Sequence, residues 1–396
     1  MKIKTVKALR NLKGKRVLLR VGFDVALTAE GEVDPREDYR LRMTLPTIQF
    51  LLEKGAKIIL LTKLGRPKGK RVPALQTDPL ARRLSVLIKR KVDKLDDCIG
   101  VEVENYINSM QPGDIVMLEN VRFYPEEKEN NIQFAKQLAR LADVYVNDAF
   151  SEAHRKTASL VAITRFLPSY AGLLLKQEID TLEKITTKPK RPVVAIMGGA
   201  KINTKIKVIR SLARQVDFLL LGGGLGCHFL KAKGYNIGKS LFAREFLDEA
   251  GKILQRFGKK ILLPIDVTVD DTRTAPVETW QKNIDEIKRY DKIIDIGTRT
   301  VVQWSDIIKQ AQTIFWNGPL GIIEDKKSSH STRALIELVA ARSRRKAFGL
   351  VGGGETIMLI NDMGLADDFD YISTGGGAML QYLQNKKLPA IKPLML

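Results

Sequence analysis

Short apolar runs of strand length recur along the chain, each separated from the next by a turn and an amphipathic helical pattern. This alternation limits the fold more than any other feature. In the first half the runs are Arg16–Val21, Lys57–Leu61, Asp114–Leu118 and Asp143–Asn147. Helical patterns such as Thr44–Lys54 and Asn131–Leu141 lie between them. A second series follows at Pro192–Met197, Phe218–Leu221, Lys260–Pro264, Lys292–Ile296, Thr313–Trp316 and Phe348–Val351. Short buried strands alternating with helices imply parallel sheets covered on both faces. The expected class is therefore α/β, with two doubly wound, Rossmann-like parallel-sheet domains.

Between the two series, Leu173, Leu174, Leu175, Ile179 and Leu182 keep roughly helical spacing before the chain turns polar and ends in KPKRP. We read this segment, 171–190, as a hinge helix or linker. It joins a first domain, 1–170, to a second, 191–378. A length of 396 residues suits two or three domains. One large doubly wound domain is the alternative.

Nearly every strand of the second half runs into a glycine turn: GGAK (Gly198–Lys201), GGGLG (Gly222–Gly226), DIG (Asp295–Gly297), WNGPLG (Trp316–Gly321), GGGET (Gly352–Thr356) and TGGGA (Thr374–Ala378). In an open α/β sheet the strand carboxyl ends share the ligand-binding edge. Glycine lets the backbone approach a phosphate, and a helix that starts there directs free N–H groups at it. The set predicts a polyphosphate crevice, although some of these glycines serve only tight turns. GYNIGKS (Gly234–Ser240) is one residue too short for a P-loop and follows a helical stretch, and no GxGxxG occurs. A P-loop NTPase and a dinucleotide-dependent dehydrogenase are disfavoured.

The first half supplies cations. Arg20, Arg66, Arg122 and Arg155 fall at or beyond strand ends, and Arg40 just precedes a helix. Guanidinium forks suit carboxylate and phosphate, so together they predict a site for a small, highly anionic substrate. Any one of them taken alone reads more simply as a solvated surface residue.

The formal charge of +21 invites a nucleic-acid reading. Its distribution argues otherwise. Residues 1–190 hold 35 basic and 24 acidic side chains, and residues 191–396 hold 31 and 21. There is no basic tail, and no basic–aromatic interleaving or known binding motif. Two cysteines cannot build a disulfide framework, and three widely spaced histidines give no zinc pattern. The first residues lack the apolar core of a signal peptide, and no run is long enough to span a membrane. A cytoplasmic protein without a membrane or specific nucleic-acid partner is expected.

These stretches resemble phosphoglycerate kinase over essentially the whole chain. The matching segments are RVGFDV (20–25), LPTIQFLLEKGAKIILL (45–61), LGRPKG (64–69), LENVRFYPEE (118–127), DVYVNDAF (143–150) with AHR (153–155), GGAKINTKI (198–206), LKAKGYNIGKSL (230–241), WNGPLG, GGGET and STGGGA (373–378). The resemblance implies a reversible, Mg²⁺-dependent phosphoryl transfer, in which 1,3-bisphosphoglycerate and ADP give 3-phosphoglycerate and ATP. It implies a monomer whose first domain binds the glycerate and whose second binds the nucleotide. Segment 379–396 would return to the first domain, and hinge bending would bring the substrates together.

By the same resemblance, Arg40 and Lys201 would stabilise the phosphoryl group in flight, aided by backbone N–H groups near Gly353, Gly354, Gly375 and Gly376. Arg20, Asp24, Lys63, Arg66, Arg122 and Arg155 would contact the glycerate. Gly199, Lys205, Gly223, Gly224, Asn317, Glu324, Gly352, Glu355 and Thr356 would serve the nucleotide, with Glu355 as the magnesium ligand.

Several positions depart from the family pattern. RxDFN becomes a sequence with Gly22 and Asp24, and Thr62–Lys63 replaces Ser–His before LGRP. Thr157, Thr204, Glu355 and the GGGLG turn also differ. Side chains two apart in a strand share a face, so Asp24 is expected to supply the acceptor missing at Gly22. Altered specificity for another acyl phosphate, or a nucleotide-binding paralogue without activity, would also fit these changes.

Overall fold

The computed structural model describes residues 2–35, 38–324, 327–344, 346–384 and 387–396, without the side chain of Lys327. The chain divides into two units. Unit one comprises Met1–Thr181 and Lys387–Leu396, and unit two comprises Leu182–Lys386. The division falls inside a single helix, Leu173–Thr187.

Among its described residues, unit one is built on six strands: β1 (Arg16–Arg20), β2 (Lys57–Leu61), β3 (Asp93–Lys94), β4 (Ile115–Met117), β5 (Val144–Asn147) and β6 (Ser169–Ala171). They form one sheet in the order β3-β4-β2-β1-β5-β6, with every pairing parallel. The strand sequences RVLLR and KIILL explain why. Val17 and Leu19 enter one apolar cluster with Ile58 and Leu60, while Leu18 enters another with Ile59 and Leu61. Both faces are therefore buried, which a parallel sheet requires. Each such side chain contributes about 1.5–3 kcal/mol on burial. Helix Tyr39–Glu53 covers the first cluster through Leu41, Ile48 and Leu51. Helix Ile132–Arg140 covers the second through Phe134, Ala135 and Leu138. Asn131 starts the latter by accepting from the Gln133 and Phe134 N–H groups at 2.9 and 3.0 Å.

The described residues of unit two form nine strands: β7 (Val193–Met197), β8 (Phe218–Leu221), β9 (Ile261–Leu262), β10 (Asp266–Asp271), β11 (Glu278–Asn283), β12 (Asp291–Ile296), β13 (Thr313–Asn317), β14 (Phe348–Gly352) and β15 (Tyr371–Ile372). Six of them form a parallel sheet in the order β15-β14-β13-β7-β8-β9. The remaining three form an antiparallel sheet, β11-β10-β12.

Three expectations need correction. The run Lys292–Ile296 is a strand, but it belongs to the antiparallel sheet, so its DIG turn does not lie on the parallel sheet's carboxyl edge. The alternation was available in DVTVDD, where Val267 and Val269 are buried. Its partner ETWQKN is largely exposed and carries no such signal. Second, residues 379–384 do not return to unit one. Helix Gly376–Leu383 buries Ala378, Met379 and Leu383 within unit two, and Ser211 donates to the Leu383 carbonyl at 3.1 Å. The return begins at Lys387, where Ile3 bridges Met395; residues 385 and 386 of the expected segment lie outside the described residues. Third, β1 ends at Arg20, so residues 22–24 are not strand and the shared-face argument for Asp24 loses its premise.

Among the described residues no helix is long and apolar enough to cross a membrane. Cys98 and Cys227 are both buried and unbridged.

Candidate functional site

In each parallel sheet the chain runs outward in both directions from a central strand. The switch lies between β1 and β5 in unit one and between β7 and β13 in unit two. The loops beyond the carboxyl ends of such strands diverge and leave a crevice.

In unit one the cations converge there. Lys63, just past β2, is buried to 3% exposure. It pairs with the Asp24 carboxylate and with Glu152, whose Oε1 lies 3.3 Å away. Burial pulls the Lys63 ammonium down from its ordinary value, and Glu152 and Asp24 oppose that pull. Asp24 also accepts from the Gly65 N–H at 2.8 Å, and Arg40 donates to the Asp24 carbonyl oxygen. The Asp24 carboxyl is held below its usual range: burial works against ionisation, and Lys63 with the Gly65 N–H outweighs it. The acceptor expected to replace the one missing at Gly22 is thus engaged by the protein's own donors.

Glu152 is the hub of the cluster. It is 5% exposed, and its Oε2 lies 3.3 Å from Arg155 Nε and 3.7 Å from an Arg122 terminal nitrogen. Asn120 fixes the loops that carry these cations. Its side chain accepts from the Leu64 and Arg122 N–H groups at 3.2 and 3.1 Å and donates to the Leu64 and Leu75 carbonyls at 2.7 and 2.9 Å. Thr62 Oγ1 accepts from the Phe23 N–H at 3.2 Å, tying the loop after β1 to the end of β2.

The expected cations are not equivalent. Lys63, Arg122 and Arg155 gather on Glu152, and Arg40 joins through Asp24. Arg66 is exposed in the loop between Leu64 and Gly69. Arg20 is 1% exposed; its Nε donates to Ser159 Oγ at 3.0 Å and a second nitrogen to the Val21 carbonyl. Ser159 in turn donates to Glu127 at 2.7 Å. Arg20 therefore contributes charge to the cluster while its bonds serve the interior. A side chain at Gly22 would have to displace the Ser151 hydroxyl, because an added Cβ would stand 2.6 Å from its Oγ.

In unit two the turns after β7, β8, β13, β14 and β15 meet around a second crevice. The Gly198 N–H donates to the Asn317 carbonyl at 3.0 Å, and the Gly199 N–H donates to the Pro319 carbonyl at 2.7 Å. Asn317 Nδ2 donates to the Gly352 carbonyl at 2.9 Å, and the Gly318 N–H to Thr356 Oγ1 at 3.0 Å. These bonds lace the strand ends together, so Asn317 and Thr356 are partly spent on the frame. Gly353 has φ +102°, which a side chain would strain, and a Cβ there would lie 3.1 Å from Asn317 Nδ2. A Cβ at Gly376 would lie 3.2 Å from the Gly353 Cα, so the last two glycine turns touch.

Helices start at Ile202, Gly223, Gly354 and Gly376, immediately after these turns. Their free N–H groups and positive ends favour phosphate. A cavity of about 350 Å³ opens among Gly199, Lys201, Lys205, Gly223, Gly224, Glu324 and Glu355. Gly352 is buried at the end of β14, beside that edge. Lys201 is exposed, and the Thr204 hydroxyl bonds its carbonyl at 3.0 Å. Lys205 Nζ donates to the Gly198 carbonyl at 2.6 Å. Burial lowers the Lys205 ammonium to about 8, with Glu355 opposing. Among the described residues no group of three or more His, Cys, Asp or Glu could hold a metal ion by itself.

Reading the sequence missed Glu152. The one signal was local: the resemblance skips two residues, Ser151 and Glu152, between DVYVNDAF and AHR, and a carboxylate stands there three residues before Arg155.

The family model for phosphoglycerate kinase matches residues 6–386. Among relatives, phosphoglycerate kinase of Dictyoglomus turgidum is 46% identical, covering 99% of this chain and 98% of its own length. That of Moorella thermoacetica is 44% identical, covering 97% of each. The solved phosphoglycerate kinase of Coxiella burnetii superposes with a TM-score of 0.84 at 38% identity, over 99% of this chain and 98% of that one. The Pyrococcus horikoshii enzyme gives 0.89 at 30% identity over the same shares. Two parallel sheets with a cation cluster on one and a glycine-lined crevice on the other, joined to likeness over the full length, lead to one conclusion: the chain belongs to the phosphoglycerate kinase family.

Proposed function

We infer that the protein is a phosphotransferase with a carboxyl acceptor, catalysing reversible phosphoryl transfer between 1,3-bisphosphoglycerate and ADP. The observation that carries this reading is the crevice of unit two, where the glycine turns after β7, β8, β13 and β14 line one cavity with Lys201 and Lys205.

The chemistry asks little covalent help of the protein. In the direction of ATP consumption, a carboxylate oxygen of 3-phosphoglycerate attacks the γ-phosphorus. The bond from that phosphorus to the bridging oxygen breaks, and the electron pair leaves with ADP. The nucleophile is already ionised near neutral pH, so no general base is needed. What remains is in-line positioning and neutralisation of spread charge.

In this reading Arg122 and Arg155, with Lys63 and Arg66, hold the glycerate's phosphate and carboxylate ends in unit one. Arg40 would stabilise the transferring group, as would Lys201 and the N–H groups near Gly353, Gly354, Gly375 and Gly376. Lys205 with the turns at Gly199, Gly223 and Gly224 holds the nucleotide phosphates, and Glu324 takes the ribose hydroxyls. Removing one donor of this kind costs about 3–4 kcal/mol of activation energy.

Mg²⁺ belongs to the same reading. It keeps several waters and binds through one or two carboxylates plus substrate phosphates, so Glu355, one of two carboxylates that line the cavity, suits it. When bound, the ion neutralises charge on the nucleotide phosphates. A cytoplasmic monomer working on small molecules completes the proposal.

The test is a coupled assay with 3-phosphoglycerate, MgATP and a dehydrogenase reporter. Turnover in the range of about 1–100 s⁻¹ common to kinases supports the reading, and no turnover by a chain that still binds ADP refutes it.

A further inference from the structure

A clamp for a phosphate has no evident use for a buried carboxylate among its cations, yet Glu152 stands there at 5% exposure. Its contacts are particular. Lys63, Arg155 and Arg122 lie at 3.3, 3.3 and 3.7 Å, all beyond the 2.7–2.9 Å typical of tight charge-assisted bonds. The cations are gathered by the carboxylate without being consumed by it. Lys63 has a closer partner in Asp24, whose carboxylate also takes the Gly65 N–H. Arg122 and Arg155, which converge on the same oxygen of Glu152, have side chains 16% and 40% exposed.

We propose that Glu152 is an internal counter-anion of the substrate clamp: it opposes the incoming phosphate, so that it sets how tightly a phosphorylated carboxylate is held and how readily it leaves. A fixed negative charge a few ångströms from a bound dianion weakens that dianion's binding, strongly so at a site shielded from water. The inference rests on the assignment of unit one to the glycerate.

The test is titration calorimetry of 3-phosphoglycerate, and separately of inorganic phosphate, into the full chain and into Glu152→Gln, which keeps the volume and removes the charge. Binding of both anions should tighten by about tenfold, with ADP affinity unchanged. In steady state KM for 3-phosphoglycerate should fall, and kcat should fall or stay level because release slows. A merely structural role predicts the opposite, since a disordered clamp binds worse. Weaker or unchanged anion binding by Glu152→Gln overturns the proposal. So does a variant, Glu152→Gln or Glu152→Ala, that no longer folds or binds ADP, because the carboxylate would then be a requirement of the fold. If the unaltered chain bound neither anion, the assignment of unit one would fail instead, which separates the two outcomes.

Discussion

Lys205 turns the geometry of the unit-two crevice into a pH dependence. Its ammonium is buried at the Gly198 carbonyl, 2.6 Å away, and burial brings it down to about 8. A nucleotide phosphate placed beside it would favour the charged form and raise it again. Binding therefore takes up a proton around pH 8. In the free protein the ammonium is charged in roughly nine-tenths of molecules at pH 7 and roughly one-tenth at pH 9. The ADP dissociation constant should rise about tenfold between those values, or about 1.4 kcal/mol.

The stability of the unliganded chain should move the other way. Between pH 8 and the ordinary lysine value the unfolded chain binds more protons than the folded one, so stability rises with pH across that window. Calorimetry of ADP binding from pH 7 to 9, in buffers of different ionisation enthalpy, reads both the affinity and the proton. Lys205→Arg, whose guanidinium stays charged, should give a nearly flat profile. A dissociation constant that changes by less than about twofold in the unaltered protein, or an equal rise in Lys205→Arg, would refute the reasoning.

Two other substitutions probe each unit. Gly22→Asp drives its Cβ against Ser151 Oγ, 2.6 Å away, and should lower stability by about 1–3 kcal/mol; adding Ser151→Gly should recover much of it in a denaturation series, because the two positions are in contact. Glu355→Gln should weaken the Mg²⁺ dependence of ADP binding, and a Mg²⁺ titration that it leaves unaltered would remove Glu355 as a ligand.

Much of this molecule can be read from sequence because its strands are buried on both faces. RVLLR, KIILL and FLLL announce a parallel sheet by composition alone, and the glycine turns that follow mark its carboxyl edge. Short strands such as Asp93–Lys94 and the exposed ETWQKN strand leave no comparable trace, because their pairing is decided by neighbours distant in sequence. The same holds within the site. Arg122, Arg155 and Lys63 could be nominated from their places after strands, but the submersion of Arg20 and its bond to Ser159, 139 residues away, is a tertiary fact. Glu152 escaped because a lone carboxylate is informative only when the cations around it are seen. The place of Asp24 was misjudged for a local reason: β1 stops at Arg20, and its carboxylate turns to Lys63 and the Gly65 N–H.

The central claim is that each unit holds one substrate, the glycerate in unit one and the nucleotide in unit two. Titration of 3-phosphoglycerate and of ADP into Arg122→Ala tests it most directly. Arg122 is half-buried on Glu152, and its loss removes a forked donor from the clamp alone. The account predicts that 3-phosphoglycerate binding weakens by about tenfold or more while ADP binding is unchanged. Unaltered 3-phosphoglycerate affinity, or an equal loss for ADP, would contradict it.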